Sequence, residues 1–212
     1  FLLGFIIFLT HLLTINFYPT NFEGAYLKLS HFFFESNKLF LIDSFYNVQA
    51  NTIIFSIIAS LISKLFIIIE PEIAIRLLSA SSYFFLIYSF KNLLKFLEIE
   101  KFLFLFILLI SNPLIWYYGH RAYVDLFSFS IGLYGFSLLL NNIENNQKIF
   151  FSIFCVTLAI LLKPFNLIFI PIIFISLIFI FNIKFDFNKI FILFFPILIF
   201  LVFLFINKYF FG

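Results

Sequence analysis

Runs of isoleucine, leucine and phenylalanine long enough to cross a lipid bilayer constrain this chain more than any other feature. Apolar blocks fall at about 1–16, 51–69, 76–94, 102–117, 126–140, 149–162, 165–182 and 190–207, and a helix needs about 20 such residues to span hydrocarbon. In lipid every backbone amide must be satisfied internally, and the period-two pattern of a membrane barrel is absent, so the blocks are expected to be helical. The expected fold is all-α: a polytopic transmembrane helical bundle forming a single domain over 1–212, with an amphipathic first external loop.

Composition agrees. The chain is 64% hydrophobic and 11% charged with mean hydropathy +1.17, whereas a soluble domain carries about 25% charged residues. The net charge of +3 is too small and too scattered to argue for nucleic acid, and no nucleic-acid partner is expected. Cys155 is the single cysteine, so neither a disulfide nor a cysteine metal site is available. Forty phenylalanines with little glycine and alanine read as the codon bias of an AT-rich genome. Phe1 is not an initiator and no methionine occurs; the chain therefore reads as a fragment, and a signal peptide cannot be judged.

Most connections are short and polar: Glu70-Pro71-Glu72, Lys95 to Lys101, Asn141 to Lys148, and Asn182 to Lys189. Residues 17–50 are different, a long mixed segment with an amphipathic stretch from Phe22 to Phe34 that predicts a short helix on the membrane surface. In 51–69, Thr52, Ser56, Ser60, Ser63 and Lys64 form a polar stripe at helical spacing. That stripe fits an interfacial or re-entrant helix; the alternative is an ordinary span whose serines bond back to their own backbone. If every block crosses, the 17–50 loop and the segment Gly119 to Asp125 end on opposite faces. If 51–69 stays on one face, both loops and Lys163 share a side, and Lys91, Lys95, Lys101, Lys148, Lys184 and Lys189 take the other, a fit to a cytoplasmic face. The remaining basic residues include Arg76, Arg121 and Lys163, so the positive-inside rule permits this topology without selecting it.

Ionisable residues at the ends of apolar helices are costly near lipid, which makes each a functional candidate. The densest cluster runs Trp116-Tyr117-Tyr118-Gly119-His120-Arg121-Ala122-Tyr123-Val124-Asp125. Its plain structural account is an aromatic belt with charges snorkelling to the headgroups. Arg121 and Asp125, four apart, would share one helix face and could pair or hold an anionic ligand and a cation. Glu23, leading into the surface helix, could act as general base toward a hydroxyl, or simply favour the helix dipole. Lys163, in Leu161-Leu162-Lys163-Pro164-Phe165, either snorkels at a helix end or supplies a cation for a lipid phosphate. His11 and His31 lack partners at metal spacing and are taken as structural.

The order of these features resembles the GT-C class of membrane glycosyltransferases, which includes protein mannosyltransferases and aminoarabinose transferases. The resemblance runs over nearly the whole chain: Glu23-Gly24-Ala25-Tyr26 opening a long loop, Ala74-Ile75-Arg76-Leu77-Leu78-Ser79 starting a helix, Asn112-Pro113, the Arg-x-x-x-Asp of Arg121 to Asp125, and Leu162-Lys163-Pro164. It implies transfer of a sugar from a polyprenyl-phosphate carrier to a lipid, glycan or protein acceptor on the non-cytoplasmic face of a bacterial inner membrane. It makes Glu23 and Asp125 the catalytic carboxylates, and Arg121, Lys163 and Arg76 the lipid-phosphate ligands. Tyr26 and His120 become substrate contacts. No metal site or cofactor is required; a divalent cation is optional, since one Glu and one Asp could bind it only where the loops meet. Two departures stand out. Phe22 occupies the position of the usual catalytic Asp, and Asn47-Val48-Gln49-Ala50-Asn51 stands where a Lys-Pro-Pro is expected. A transporter or flippase subunit for a lipid-linked glycan is the alternative, and it predicts ionisable groups at the bilayer midplane.

Overall fold

The computed structural model describes residues 6, 21–36, 53–66, 69–100, 107–109, 111–119, 121, 123–179, 191, 194–195, 197–203 and 205. The apolar block 1–16, which precedes α1, lies almost wholly outside them, as do much of 190–207, the positions His11, His120, Lys101, Lys184 and Lys189, and the side chain of Glu23. The described chain runs α1 (Asn21–Ser36), α2 (Ile53–Leu65), α3 (Pro71–Phe96), α4 (Pro113–Gly119), α5 (Val124–Asn141), α6 (Asn146–Leu162), a 3-10 turn (Pro164–Ile168) and α7 (Phe169–Phe179). Every described element is helical, in keeping with apolar stretches whose amides bond within the segment.

Among the described residues two helices, α3 and α5, are long and apolar enough to cross a membrane. The others fall short for identifiable reasons. α2 has 13 residues, a rise of about 20 Å against a hydrocarbon core of about 30 Å. The block 102–117 is not one helix: a turn at Ser111 precedes a new start at Pro113. Proline lacks the N–H that the preceding turn needs and pushes its predecessor out of the α region. Proline shapes the block 165–182 in the same way, with the 3-10 turn at Pro164 preceding α7. α3, in contrast, starts earlier than hydropathy predicts, because Pro71 takes the first helical position and Glu72 the first turn, where proline's fixed φ and an acid are both favoured.

α3 and α5 run parallel. At one end the Ser79 hydroxyl donates to the Tyr123 carbonyl at 3.0 Å; at the other, the Asn141 amide donates to the Asn92 carbonyl at 2.9 Å. α6 returns antiparallel after a turn in which the Asn145 side chain accepts from the Lys148 N–H at 3.1 Å and the Lys148 ammonium donates to Asn142 at 2.7 Å. The α5–α6 hairpin is close because Gly135 faces it: a Cβ there would lie 2.5 Å from the Ser152 carbonyl oxygen and 2.9 Å from the Cys155 Cβ.

One apolar cluster binds the start of α3 (Ala74, Ile75), the start of α5 (Val124, Phe127) and the end of α6 (Ala159, Leu162) to Phe55 and Ala59 of α2 and to Tyr26 and Leu27 of α1. α1, α2 and the Tyr123–Asp125 segment therefore gather at one end of the bundle. Lys91, Lys95 and Lys148 lie toward the other end, along the last turns of α3 and the first of α6. The serine stripe of α2 faces inward. Ser56, Ser60 and Ser63 are buried; the Ser56 hydroxyl donates across to the Tyr26 carbonyl at 3.2 Å, and that of Ser63 to its own Ala59 carbonyl at 3.1 Å. Both ways of satisfying a serine in an apolar helix are thus used in the one stripe. Outward faces are apolar, with Phe150, Phe151 and Phe154 exposed on α6 and Ile172, Ile175 and Ile178 on α7.

Candidate functional site

The candidate site is built on two antiparallel helix ends. α5 begins at Val124 and carries Asp125 in its first turn; α6 ends at Leu162 and is capped by Lys163. Each charge opposes the partial charge of its own helix terminus, a carboxylate at a start and an ammonium at an end. Packing of the hairpin then brings them together: the Lys163 Nζ lies 2.7 Å from the Asp125 Oδ1, with the side chains 27% and 39% exposed. A pair that open to water contributes only about 0–1 kcal/mol to stability.

Lys163 reaches Asp125 because α6 stops where it does. Pro164 excludes the helical conformation at the preceding residue, and Lys163 is extended at φ −151° and ψ 111°. Its N–H still closes the last helical bond to the Ala159 carbonyl at 3.0 Å.

Tyr26 enters from α1. It is buried, its ring meets that of Phe55 edge-on at 5.9 Å, and its hydroxyl holds its proton above the ordinary range. Burial is the main cause, and the Asp125 charge adds to it, followed by Tyr123. The phenol of α1 therefore feels the carboxylate of α5. Glu23 occupies the first turn of the same helix, one turn ahead of Tyr26, and positions three apart share a helix face.

The aromatic segment before α5 folds into a cluster. Tyr117 stacks on Tyr123 with centroids 6.1 Å apart, Tyr118 meets Tyr123 edge-on at 5.5 Å, and the Arg121 guanidinium lies 5.0 Å from the centre of the Tyr117 ring. Arg121 and Asp125 do not share a continuous helix, since α5 starts between them at Val124. Asp125 pairs with Lys163, a contact that the four-residue spacing did not suggest. Gly119 closes α4 against α3, where a Cβ would run into the Tyr83 ring and hydroxyl; that hydroxyl donates to the Ile115 carbonyl at 2.8 Å.

Arg76 sits in the second turn of α3 at the same end and is 6% exposed. A guanidinium so far from water must be held by polar partners. His31 approaches Glu72 at 3.5 Å, tying α1 to the start of α3. Among the described residues no group of three or more His, Cys, Asp or Glu gathers as a metal site would require. Sequence reasoning passed over Asn166, which lies wholly buried in the 3-10 turn behind Lys163; an amide in an otherwise apolar Pro-Phe-Asn-Leu-Ile stretch was the available signal.

In comparisons with known proteins no family model matches the chain, and neither a curated protein nor a solved structure matches it.

Proposed function

We propose that this chain is an integral, polytopic membrane glycosyltransferase of GT-C type. It transfers a sugar from a polyprenyl-phosphate carrier to an acceptor on the non-cytoplasmic face of a bacterial inner membrane. The observation that carries this reading is the Asp125–Lys163 pair, set at the end of the bundle where α1, α2 and the aromatic segment also gather. A lysine held by one carboxylate at a membrane-facing helix end is placed to exchange that partner for a phosphate. The short α2 is then an interfacial or re-entrant helix, and the exposed phenylalanines and isoleucines of α6 and α7 face lipid.

In this scheme the acceptor hydroxyl attacks the anomeric carbon from the face opposite the phosphate. The bond from that carbon to the phosphate oxygen breaks, polyprenyl phosphate departs, and the hydroxyl proton passes to Glu23. Lys163, Arg121 and Arg76 stabilise the charge on the departing phosphate. Asp125 holds Lys163 in place beforehand, and Tyr26 and His120 contact substrate. A divalent cation is not required.

The second reading is a transporter or flippase for a lipid-linked glycan, which needs ionisable groups at the midplane between broken helices. Asp125 and Lys163 lie at helix ends instead, which favours the transferase. Both readings are tested with the chain in vesicles that carry a polyprenyl-phosphate hexose labelled in its sugar. Release of unglycosylated polyprenyl phosphate, lost in Glu23→Gln and in Lys163→Met, supports transfer. Label that changes leaflet with its carrier intact supports the flippase and removes the transferase.

A further inference from the structure

The residue that aims Lys163 lies three positions beyond it. Asn166 is 0% exposed and bonds both to Lys163 and to the last turn of α6 ahead of it. Its side-chain Nδ2 donates to the Ala159 carbonyl at 3.0 Å, the same oxygen that accepts the Lys163 N–H at 3.0 Å. Its own backbone N–H donates to the Lys163 carbonyl, also at 3.0 Å. A carbonyl oxygen has two lone pairs, so both donors are accommodated. Between these anchors the Lys163 backbone has no freedom to rotate without breaking one of them.

The other end of the amide shows what the residue is for. Asn166 Oδ1 is buried with no hydrogen-bond partner, and an unsatisfied buried acceptor is destabilising. Leucine, of similar size, would fill the site without that cost. The only thing asparagine contributes there is the donor.

We infer that Asn166 is the positioning residue for Lys163, locking the extended backbone between α6 and the 3-10 turn so that the ammonium is presented to Asp125. That it thereby serves lipid-phosphate binding rests on the function proposed above; the positioning itself does not.

The test reads Lys163 directly. The full chain in vesicles is treated with an acetylating ester, and modification of each lysine is followed by site-resolved mass spectrometry. In the unaltered protein Lys163 reacts slowly, because its ammonium is engaged by Asp125; Asp125→Asn sets the released rate. Asn166→Leu is expected to speed Lys163 modification about fivefold, the change in a two-state equilibrium when one such hydrogen bond is lost. Lys148, at the far end of α6, keeps its rate. Should the leucine variant fail to fold, Asn166→Ala makes the same cut with a smaller side chain. A Lys163 rate unchanged by both variants overturns the inference, and so does a matching rise at Lys148, which would make Asn166 a general packing residue.

The transfer assay separates this from the functional reading. Asn166→Leu should raise the KM for the carrier-linked sugar. Release of Lys163 without any transfer activity in the parent protein would defeat the function and leave the positioning role standing. Transfer activity with Lys163 unaffected by the variants would do the reverse.

Discussion

The hydroxyl of Ser79 donates to the carbonyl oxygen of Tyr123 at 3.0 Å, joining α3 to the residue that caps the start of α5 at one end of the bundle. Because α6 runs back antiparallel, that end also receives Lys163, while the Asn142–Lys148 turn lies at the other. The two ends should therefore face opposite sides of a membrane. With Cys155 replaced by alanine, single cysteines at Glu35→Cys and Gln147→Cys, both exposed positions, are expected to react with a membrane-impermeant maleimide from opposite sides. Labelling of both from one side would rule out a spanning α3 and α5.

Removal of the Lys163 ammonium should separate stability from chemistry. The pair is partly open to water, so Lys163→Met is expected to change unfolding stability by less than about 1 kcal/mol. Sugar transfer should fall by about a hundredfold or more, the usual scale for losing a preorganised group at a developing charge. Thermal unfolding in detergent and the transfer assay give the two numbers. A large stability loss with proportionate activity loss would make the pair purely structural.

Gly135 lets α5 and α6 approach until backbone meets side chain. Gly135→Val forces branched carbons against the Ser152 carbonyl and Cys155, and overpacking of this kind costs about 1–3 kcal/mol. The midpoint of thermal unfolding should drop accordingly. The same change at Gly24, where a Cβ meets nothing within 4 Å, is expected to be far milder, because nothing is overpacked there and valine's helix propensity is not below that of glycine.

Tyr26 holds its proton above its ordinary value of 10.0, through burial first and the Asp125 charge second. A tyrosine whose pKa is raised on folding leaves stability unchanged below the unfolded value of about 10. As pH climbs past that value, the unfolded chain loses its proton while the native state keeps it, so stability falls. The unfolding midpoint should therefore decline between about pH 10 and 11, and Tyr26→Phe should flatten part of that decline. An identical slope in the variant would show that Tyr26 is not held protonated.

Helices were legible wherever the signal was local. The apolar blocks 76–94 and 126–140 predicted α3 and α5, and the serine stripe in 51–69 marked the face of α2 that is buried. Pro113 and Pro164 could have been read more closely, since each marks a restart that hydropathy averaging hides. The candidate residues were also visible individually, as charges expensive to leave beside lipid.

Chain order could not reveal which of those charges meet. Spacing suggested Arg121 as a partner for Asp125, yet α5 begins only at Val124, and without a continuous helix the four-residue rule has no force. Lys163 takes the place beside Asp125 because Gly135 allows α6 to lie against α5 and Pro164 ends α6 level with the start of α5. The burial of Arg76, the inward turn of the α2 serines and the grip of Asn166 on Lys163 are of the same kind. Sequence alone determined that the chain is helical and apolar, because hydrophobic runs and backbone hydrogen bonding are local properties. Tertiary structure decided which ionisable groups share an end and a partner, because that depends on helix direction and close packing between segments far apart in the chain.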